Sequence, residues 1–425
     1  MTAAVFLLVP FILLTIGFPI YLILFITALI ALSFVLGGSP AIVQTTIFGS
    51  LDSFPLLAIP FFILAGEIMG RGGIAKRIIA WVVSIVGGVR GSLALTTIGS
   101  SELFGAMSGS AVGTVAAVGR LLLPALRENG YNERFAVSLI ASSGAIAVVI
   151  PPSIPLIIYG VVSQQPVTVL FLAGIVPALF IGAIDAAYVL WYARRERIPT
   201  TPGQKIGAIW ASTKDAAWAL GTPVVIFGGI YGGIFTPTEA AGVAVVYALL
   251  VSMFIYRDIG WPELWQITMS SAQLIAQILI IVSAAGLYSW VLTTSGIPQQ
   301  VVAAVQSAHI GLYATLFVFN IVLLFVGSFL EPPAAILILT PLFLPVVTAF
   351  GMSPIHFGIV VAVNLSLGMY MPPFGLNLFA SHSLFGVPLG TIYRGVVPFL
   401  LINLIALIVI TYVPAVSLFL TPHAR

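Results

Sequence analysis

The sequence predicts an all-α polytopic membrane protein built as an inverted repeat, with two re-entrant helical hairpins and two broken helices. Three observations carry that expectation. Of the 425 residues, 60% are hydrophobic and only 6% charged, with a mean hydropathy of +1.19, whereas soluble domains hold about half apolar and about a quarter charged residues. Apolar runs long enough for helices of about 20 residues recur from end to end, unlike the short alternating segments of a barrel. Finally, a proline pair interrupts a stretch without aspartate, glutamate, lysine or arginine in each half, Pro151-Pro152 within 135–169 and Pro372-Pro373 within 356–393. A proline pair cannot continue a helix, because it removes backbone donors and clashes with the preceding turn. Broken backbone at membrane depth must be buried in protein or line a polar cavity.

The net charge of +3 comes from few residues, mostly in loops, so it reports orientation in a lipid bilayer and gives no reason to expect a nucleic-acid partner. Cysteine is absent, which excludes disulfides and thiolate metal sites. No phosphate-cradling glycine loop is present, so ATP hydrolysis is not expected and the chain is not read as an enzyme. Met1 leads directly into an apolar run without a basic segment, read as a membrane anchor and not a cleaved leader.

Residues 1–53 are expected to form N-terminal scaffold helices, with 3–36 either one long tilted helix or two short ones divided at Gly17-Phe18-Pro19. A first repeat, 54–200, opens with a span from Phe54 to Gly70. An amphipathic piece from Gly73 to Val89, carrying Lys76, Arg77 and Arg90 at its end, should follow along the membrane surface. The glycine-rich stretch 92–126 suits a hairpin turning at Ser108-Gly109-Ser110, since small residues allow close backbone approach. Glu102 is placed near the base of that hairpin. The broken helix covers 135–165, and a span from Val167 to Ala193 closes the repeat. Arg194, Arg195, Arg197, Lys205 and Lys214 then form the densest basic loop, assigned to the cytoplasm. Linker and connecting helices fill 201–271: Ala216 to Phe235 runs outward, Thr236-Pro237-Thr238-Glu239 turns, and Ala240 to Tyr256 returns. The second repeat, 272–425, holds a hairpin at 311–346 and a broken helix at 354–383.

A shift of 221 residues overlays Pro124 on Pro345, Gly130 on Gly351, both proline pairs, Gly174 on Gly395 and Pro177 on Pro398 without a gap. Such a register indicates duplication. Counting crossings from the basic loop puts Arg127 to Arg134 inside and Phe350 to Pro354 outside, so the copies are inverted. Inverted repeats with discontinuous helices meeting at the midplane describe alternating-access transporters. Carbonyls freed at the breaks suit a hard cation such as sodium, and the N-terminal ends of half-helices suit a carboxylate. A channel and an intramembrane hydrolase are the competing classes. The dissimilar tips Ser-Gly-Ser and Glu-Pro-Pro form no filter ring, and Ser153 has no evident base.

The strings SGSAVGTVAAVG at 108–119, IPPSIP at 150–155, FTPTEA at 235–240, LILTP at 337–341 and PPFGLN at 372–377 resemble the large, DctM-like membrane subunit of TRAP (tripartite ATP-independent periplasmic) transporters. The resemblance covers nearly the whole chain. It implies sodium-coupled uptake of a small organic acid by an elevator-type motion in a bacterial or archaeal cytoplasmic membrane. It also implies a soluble periplasmic substrate-binding protein and a small membrane subunit as partners. By position it implies Ser108, Ala147, Ile150 and Pro152 for one sodium ion and Gly327, Gly368, Met371 and Phe374 for a second. The family has glycine where Ala147 stands and a threonine where Met371 stands, so the second departure removes a hydroxyl ligand. Candidate substrate contacts are Ser110, Ser153, Glu331, Asn364 and Asn377. Glu331 is either an ion or proton group or a tip residue that reaches water, and the two asparagines bind either substrate or neighbouring helices. With few cations in the membrane core, amides and hydroxyls are expected to hold the anion. His309, His356, His382 and His423 lack metal-site spacing and read as structural.

Overall fold

The computed structural model describes residues 2–200, 203 and 205–421. His423 lies outside them. Their regular elements are helical, apart from one isolated bridge between Arg90 and Thr200, and seven of the helices are long and apolar enough to cross a membrane.

The N-terminal run is two helices, α1 (Thr2–Ile16) and α2 (Ile20–Ala31). Gly17 at φ +90 turns the chain between them, a backbone state that only glycine adopts without strain. After α3 (Pro40–Leu51) the chain turns at Asp52-Ser53 into α4 (Ala58–Arg71). The amphipathic piece is α5 (Ile74–Val86), whose Ile74, Ile78, Ile79 and Val82 are buried while Lys76 is exposed. The first hairpin is α6 (Ser92–Ser108) and α7 (Ala111–Glu128), two residues longer than expected. Its tip falls at Gly109 and Ser110, where the small residues stand. The first broken helix is α8 (Glu133–Ala145), a tight turn over Ile146–Val148, and α9 (Ile154–Ser163). Helix α10 (Val167–Arg195) closes the repeat.

Two expectations about the connecting segment need correction. Helix α11 (Ile206–Tyr231) starts ten residues before Ala216, so Lys214 is helical and the basic loop is shorter. Its early turns are anchored by polar and aromatic contacts that a hydropathy reading misses: Trp81 Nε1 donates to Thr213 Oγ1 at 3.1 Å, and Lys214 lies over the Trp210 ring. The stretch Thr236 to Glu239 is the start of α12 (Pro237–Leu249) and not a free turn. Thr236 and Glu239 form a reciprocal capping box there, which satisfies two otherwise orphaned amides.

The second repeat comprises α13 (Trp261–Thr294), α14 (Ile297–Ser307), the hairpin α15 (Leu312–Phe329) and α16 (Pro332–Ala349), the broken helix α17 (Pro354–Gly368) and α18 (Leu376–Phe385), and α19 (Leu389–Tyr412). A short α20 (Pro414–Leu418) follows. A boundary between 271 and 272 falls inside α13. Where the first half turns between α3 and α4, the matching stretch 271–282 has no glycine or proline, and the helix runs on unbroken.

Contacts around α10 show the inversion directly. The loop after α7 lies with 196–198, at the C-terminal end of α10: one surface cavity is lined by Gly130, Tyr131, Asn132, Glu196 and Ile198. Its duplicate before α17 lies near the opposite end, because the Tyr159 hydroxyl donates to the Pro354 carbonyl at 2.7 Å and Tyr159 stands shortly before α10 begins. At about 1.5 Å per residue, the α10 helix separates the two loops by roughly 40 Å.

Candidate functional site

Each hairpin tip packs on the broken helix of its own repeat, and small residues make the approach possible. A β-carbon on Gly105 would stand 2.9 Å from Ala147 Cβ and 3.3 Å from Ile150 Cγ2, and one on Gly109 would stand 2.9 Å from the Pro152 carbonyl oxygen. Gly109 ends α6 at φ +60. Ser110 caps α7 by accepting from the Gly113 amide at 3.2 Å, and the Ser110 amide points to Ser108 Oγ at 3.4 Å. Ser108, Ala147, Ile150 and Pro152 are therefore gathered around one tip. Among the described residues no donor reaches the carbonyl oxygens of Ile150 or Pro152.

In the second repeat the approach is tighter. A β-carbon on Gly368 would stand 2.5 Å from the Gly327 carbonyl carbon, and the Phe329 and Phe374 rings lie 4.5 Å apart. Gly327, Gly368 and Phe374 thus meet as a group, with Met371 held between them by its amide on Gly368 O at 3.1 Å and by the Gly375 amide on its own carbonyl at 3.0 Å. Pro151-Pro152 and Pro372-Pro373 both contain a cis peptide bond.

The two units are tied to each other across the centre. Ser366 Oγ donates to the Ala145 carbonyl at 2.7 Å, at the C-terminus of α8, and Asn377 Nδ2 donates to the Ala141 carbonyl at 2.9 Å. The first bond satisfies a backbone acceptor that the break leaves without a helical partner, and the second adds a donor to a carbonyl one turn earlier.

Both tips open on one cavity of about 700 Å³, which Ser108, Ser110 and Glu331 line together with Val148 and Ile154 of the first break and Met369 and Leu376 of the second. Its lining also carries Arg71, Lys76 and Arg120 beside the carboxylates Glu67 and Asp258, with Arg71 paired to Glu67 at 3.4 Å. Neither Lys76 nor Arg120 makes a salt bridge among the described residues. This part of the lining lies on the side of the basic loop: Arg77, beside Lys76, pairs with Asp258 at 2.6 Å and Asp215 at 3.6 Å. Besides amides and hydroxyls, the cavity thus presents side chains of both charges. Arg120 stands in the middle of α7.

Three of the candidate substrate contacts lie elsewhere. Ser153 caps α9 through the Leu156 amide and donates to the Val148 carbonyl. Asn364 donates to Asn320 Oδ1 and to the Val360 carbonyl, each at 2.8 Å, and Asn377 makes the Ala141 bond above. Glu102 is nearer the tip than the base of its hairpin, packed on Gly182 of α10. His356 is buried and bonded to Ser417 Oγ and the Thr411 carbonyl, while His309 and His382 bond to carbonyls within their own turns. Among the described residues no three histidine, aspartate or glutamate side chains gather as a metal site.

Residues 7–416 match the family described as "Tripartite ATP-independent periplasmic transporter, DctM component". The chain belongs to this family. Among its relatives, the C4-dicarboxylate TRAP transporter large permease protein DctM of Pseudomonas aeruginosa is 41% identical over 88% of this chain and 87% of its own length. The ectoine/5-hydroxyectoine TRAP transporter large permease protein UehC of Ruegeria pomeroyi is 37% identical over 98% of each. These relatives are named as permeases, not enzymes. Among solved structures, the YdaH transporter of Alcanivorax borkumensis superposes with a TM-score of 0.58 at 15% identity, covering 87% of each chain, a likeness of fold alone. This TRAP permease is thus a multi-pass membrane transporter subunit, and the hairpins and breaks are its candidate transport site.

Proposed function

We propose that this permease is the transmembrane core of a sodium-coupled importer of a small organic acid, fed by a periplasmic binding protein and braced by a small membrane subunit in the bacterial or archaeal cytoplasmic membrane. The observation that supports it best is the cavity shared by two inverted hairpin tips and two helix breaks. A sodium ion in an apolar core must exchange its water shell for about five or six oxygens, and carbonyls at a helix break supply them without adding charge. The Ile150 and Pro152 carbonyls stand ready for that role beside Ser108. The substrate carboxylate is placed at the N-termini of α7 and α16, near Ser110 and Glu331, where half-helix dipoles favour an anion. Its route toward the basic-loop face passes the charged residues Glu67, Arg71, Lys76 and Arg120. Alternating access follows if each hairpin and its broken helix move as one body, in the manner of an elevator.

The relatives carry different substrate names, a C4-dicarboxylate and ectoine, so the proposal commits only to a small acid. The test is uptake into proteoliposomes containing both membrane subunits, with and without a loaded binding protein and an inward sodium gradient. Uptake is expected only when both are supplied. Fast uptake of free substrate without a binding protein would make the chain a stand-alone carrier, and uptake indifferent to sodium would remove the coupling.

A further inference from the structure

Away from the cavity, four polar groups meet where α6, α10, α19 and the second break converge. Asp185 on α10 is wholly buried, as is Asn403 on α19. Asn403 Nδ2 donates to Asp185 Oδ1 and to the Tyr370 hydroxyl, each at 3.0 Å. Tyr370 is also buried, and it directly precedes Met371-Pro372-Pro373. The fourth group is Glu102 on α6, half-buried. A β-carbon on Gly182 would fall 1.6 Å from Glu102 Oε1, so glycine makes room for this carboxylate one helical turn from Asp185.

Two oxygens in this cluster, Asp185 Oδ2 and Asn403 Oδ1, are buried without a hydrogen-bond partner. No salt bridge reaches Asp185 or Glu102 among the described residues. Water at the membrane faces is remote, because Asp185 lies ten residues from the end of α10 and farther from its start, about 15 Å of helix at the nearer side. An ionised carboxylate at that depth is too costly to leave uncompensated, and such residues are characteristic of ion and proton pathways.

We propose that Asp185, Asn403 and Tyr370, with Glu102 beside them, form a further cation site, separate from those proposed at the hairpin tips and the breaks, that takes a monovalent cation, either sodium or a proton. The chemistry is a unit positive charge placed against the Asp185 carboxylate, an amide oxygen and a phenol, with the half-buried Glu102 one helical turn away. The charged group acting on Asp185 from a neighbouring helix is Glu102 on α6, and the titratable group at the second break is Tyr370. Helix α19 offers the neutral Asn403, while α17 carries His356 at its far end, already bonded to Ser417 and Thr411. Loading the site neutralises Asp185 and holds Asn403 against Tyr370, so its occupancy is transmitted to the backbone that leads into the second proline pair.

This inference rests on the reading of the chain as an ion-coupled permease, and the experiment separates the two. The two-subunit membrane complex is purified, and its thermal stability is measured in sodium chloride against choline chloride across the neutral pH range, for wild type, Asp185→Asn and Tyr370→Phe. Uptake with loaded binding protein is followed in parallel. If sodium occupies the site, Asp185→Asn reduces the sodium-dependent stabilisation and lowers the steepness of uptake against sodium. If a proton occupies it, the sodium response is retained and the pH dependence flattens. Tyr370→Phe keeps the buried ring and removes only the hydroxyl, so it guards against an Asp185→Asn protein that does not fold. It should shift the same response roughly five-fold, as loss of one polar contact does. Sodium and pH responses equal to wild type in Tyr370→Phe and in any folded Asp185→Asn would overturn the site. Stability is read without transport, so loss of sodium-driven uptake in the wild type would strike the permease reading and leave the binding result standing.

Discussion

At the first break the carbonyls of Ile150 and Pro152 receive no hydrogen bond, whereas at the second the carbonyls of Gly368 and Met371 accept from the amides of Met371 and Gly375. Their surroundings differ as well. Residues 146–160 are buried without exception, while Pro373 and Phe374 are exposed. The half-helix after the first break is capped by Ser153, but Gly375 offers its counterpart no side-chain cap. Duplication has kept the place where each helix stops and the hairpin that packs on it, while the freed oxygens are used differently. Each carbonyl at the second break retains one lone pair, so on the proposed reading it would be the poorer cation site of the two, and it is the one joined through Tyr370 and Asn403 to the buried Asp185.

The largest effect expected from this contrast is steric. Gly368→Ala drives a β-carbon to 2.5 Å from backbone of Gly327, whereas Gly105→Ala meets the small Ala147 side chain at 2.9 Å. Overpacking of this kind costs about 1–3 kcal/mol. Gly368→Ala should therefore lose more thermal stability and more uptake than Gly105→Ala, and the reverse order in melting curves would break the comparison. The next effect is on sodium. Pro152→Ala and Pro373→Ala let a broken helix re-form and withdraw its carbonyls, so each should raise the sodium concentration for half-maximal uptake several-fold, with Pro152→Ala the larger. Unchanged sodium dependence in both would make the breaks structural kinks. Ser153→Ala removes the cap of α9 and should cost about 1 kcal/mol of stability in a denaturation series, with little change in substrate affinity, because Ser153 does not line the cavity. The smallest effect is at Met371→Thr. A hydroxyl there adds one oxygen to the weaker site and should tighten sodium binding by up to about 1 kcal/mol, read from uptake against sodium.

Much of the fold was legible because prolines and glycines speak through the backbone. Pro151-Pro152, Pro372-Pro373 and Ser108-Gly109-Ser110 impose their breaks and turns whatever surrounds them, and the structure has them where the sequence placed them. Helix extents were less legible where polar residues continue a helix beyond its apolar run, as in α11, or where an amide is capped by a side chain, as at Thr236 and Glu239. The candidate site was legible only in part. Ser110 and Glu331 reach the cavity because they stand at tips. Asn364 and Asn377 turn instead to Asn320 and to the Ala141 carbonyl, partners at distant positions that no local pattern reveals. The cluster of Asp185, Asn403, Tyr370 and Glu102 escaped for the same reason, although a lone aspartate inside an apolar span was a visible signal.

The central claim is that the two halves face opposite ways around one cavity, and the absence of cysteine from the chain makes it directly testable. Single cysteines placed at Glu128, the last residue of α7, and at Gly351, just after α16, occupy nearly equivalent positions of the two repeats. In intact cells or oriented vesicles, an impermeant thiol reagent applied from outside should label the cysteine at 351 and spare that at 128, with the pattern reversed when the cytoplasmic face is exposed. Labelling of both positions from the same side would contradict the inversion, and with it the transport mechanism built on the paired breaks.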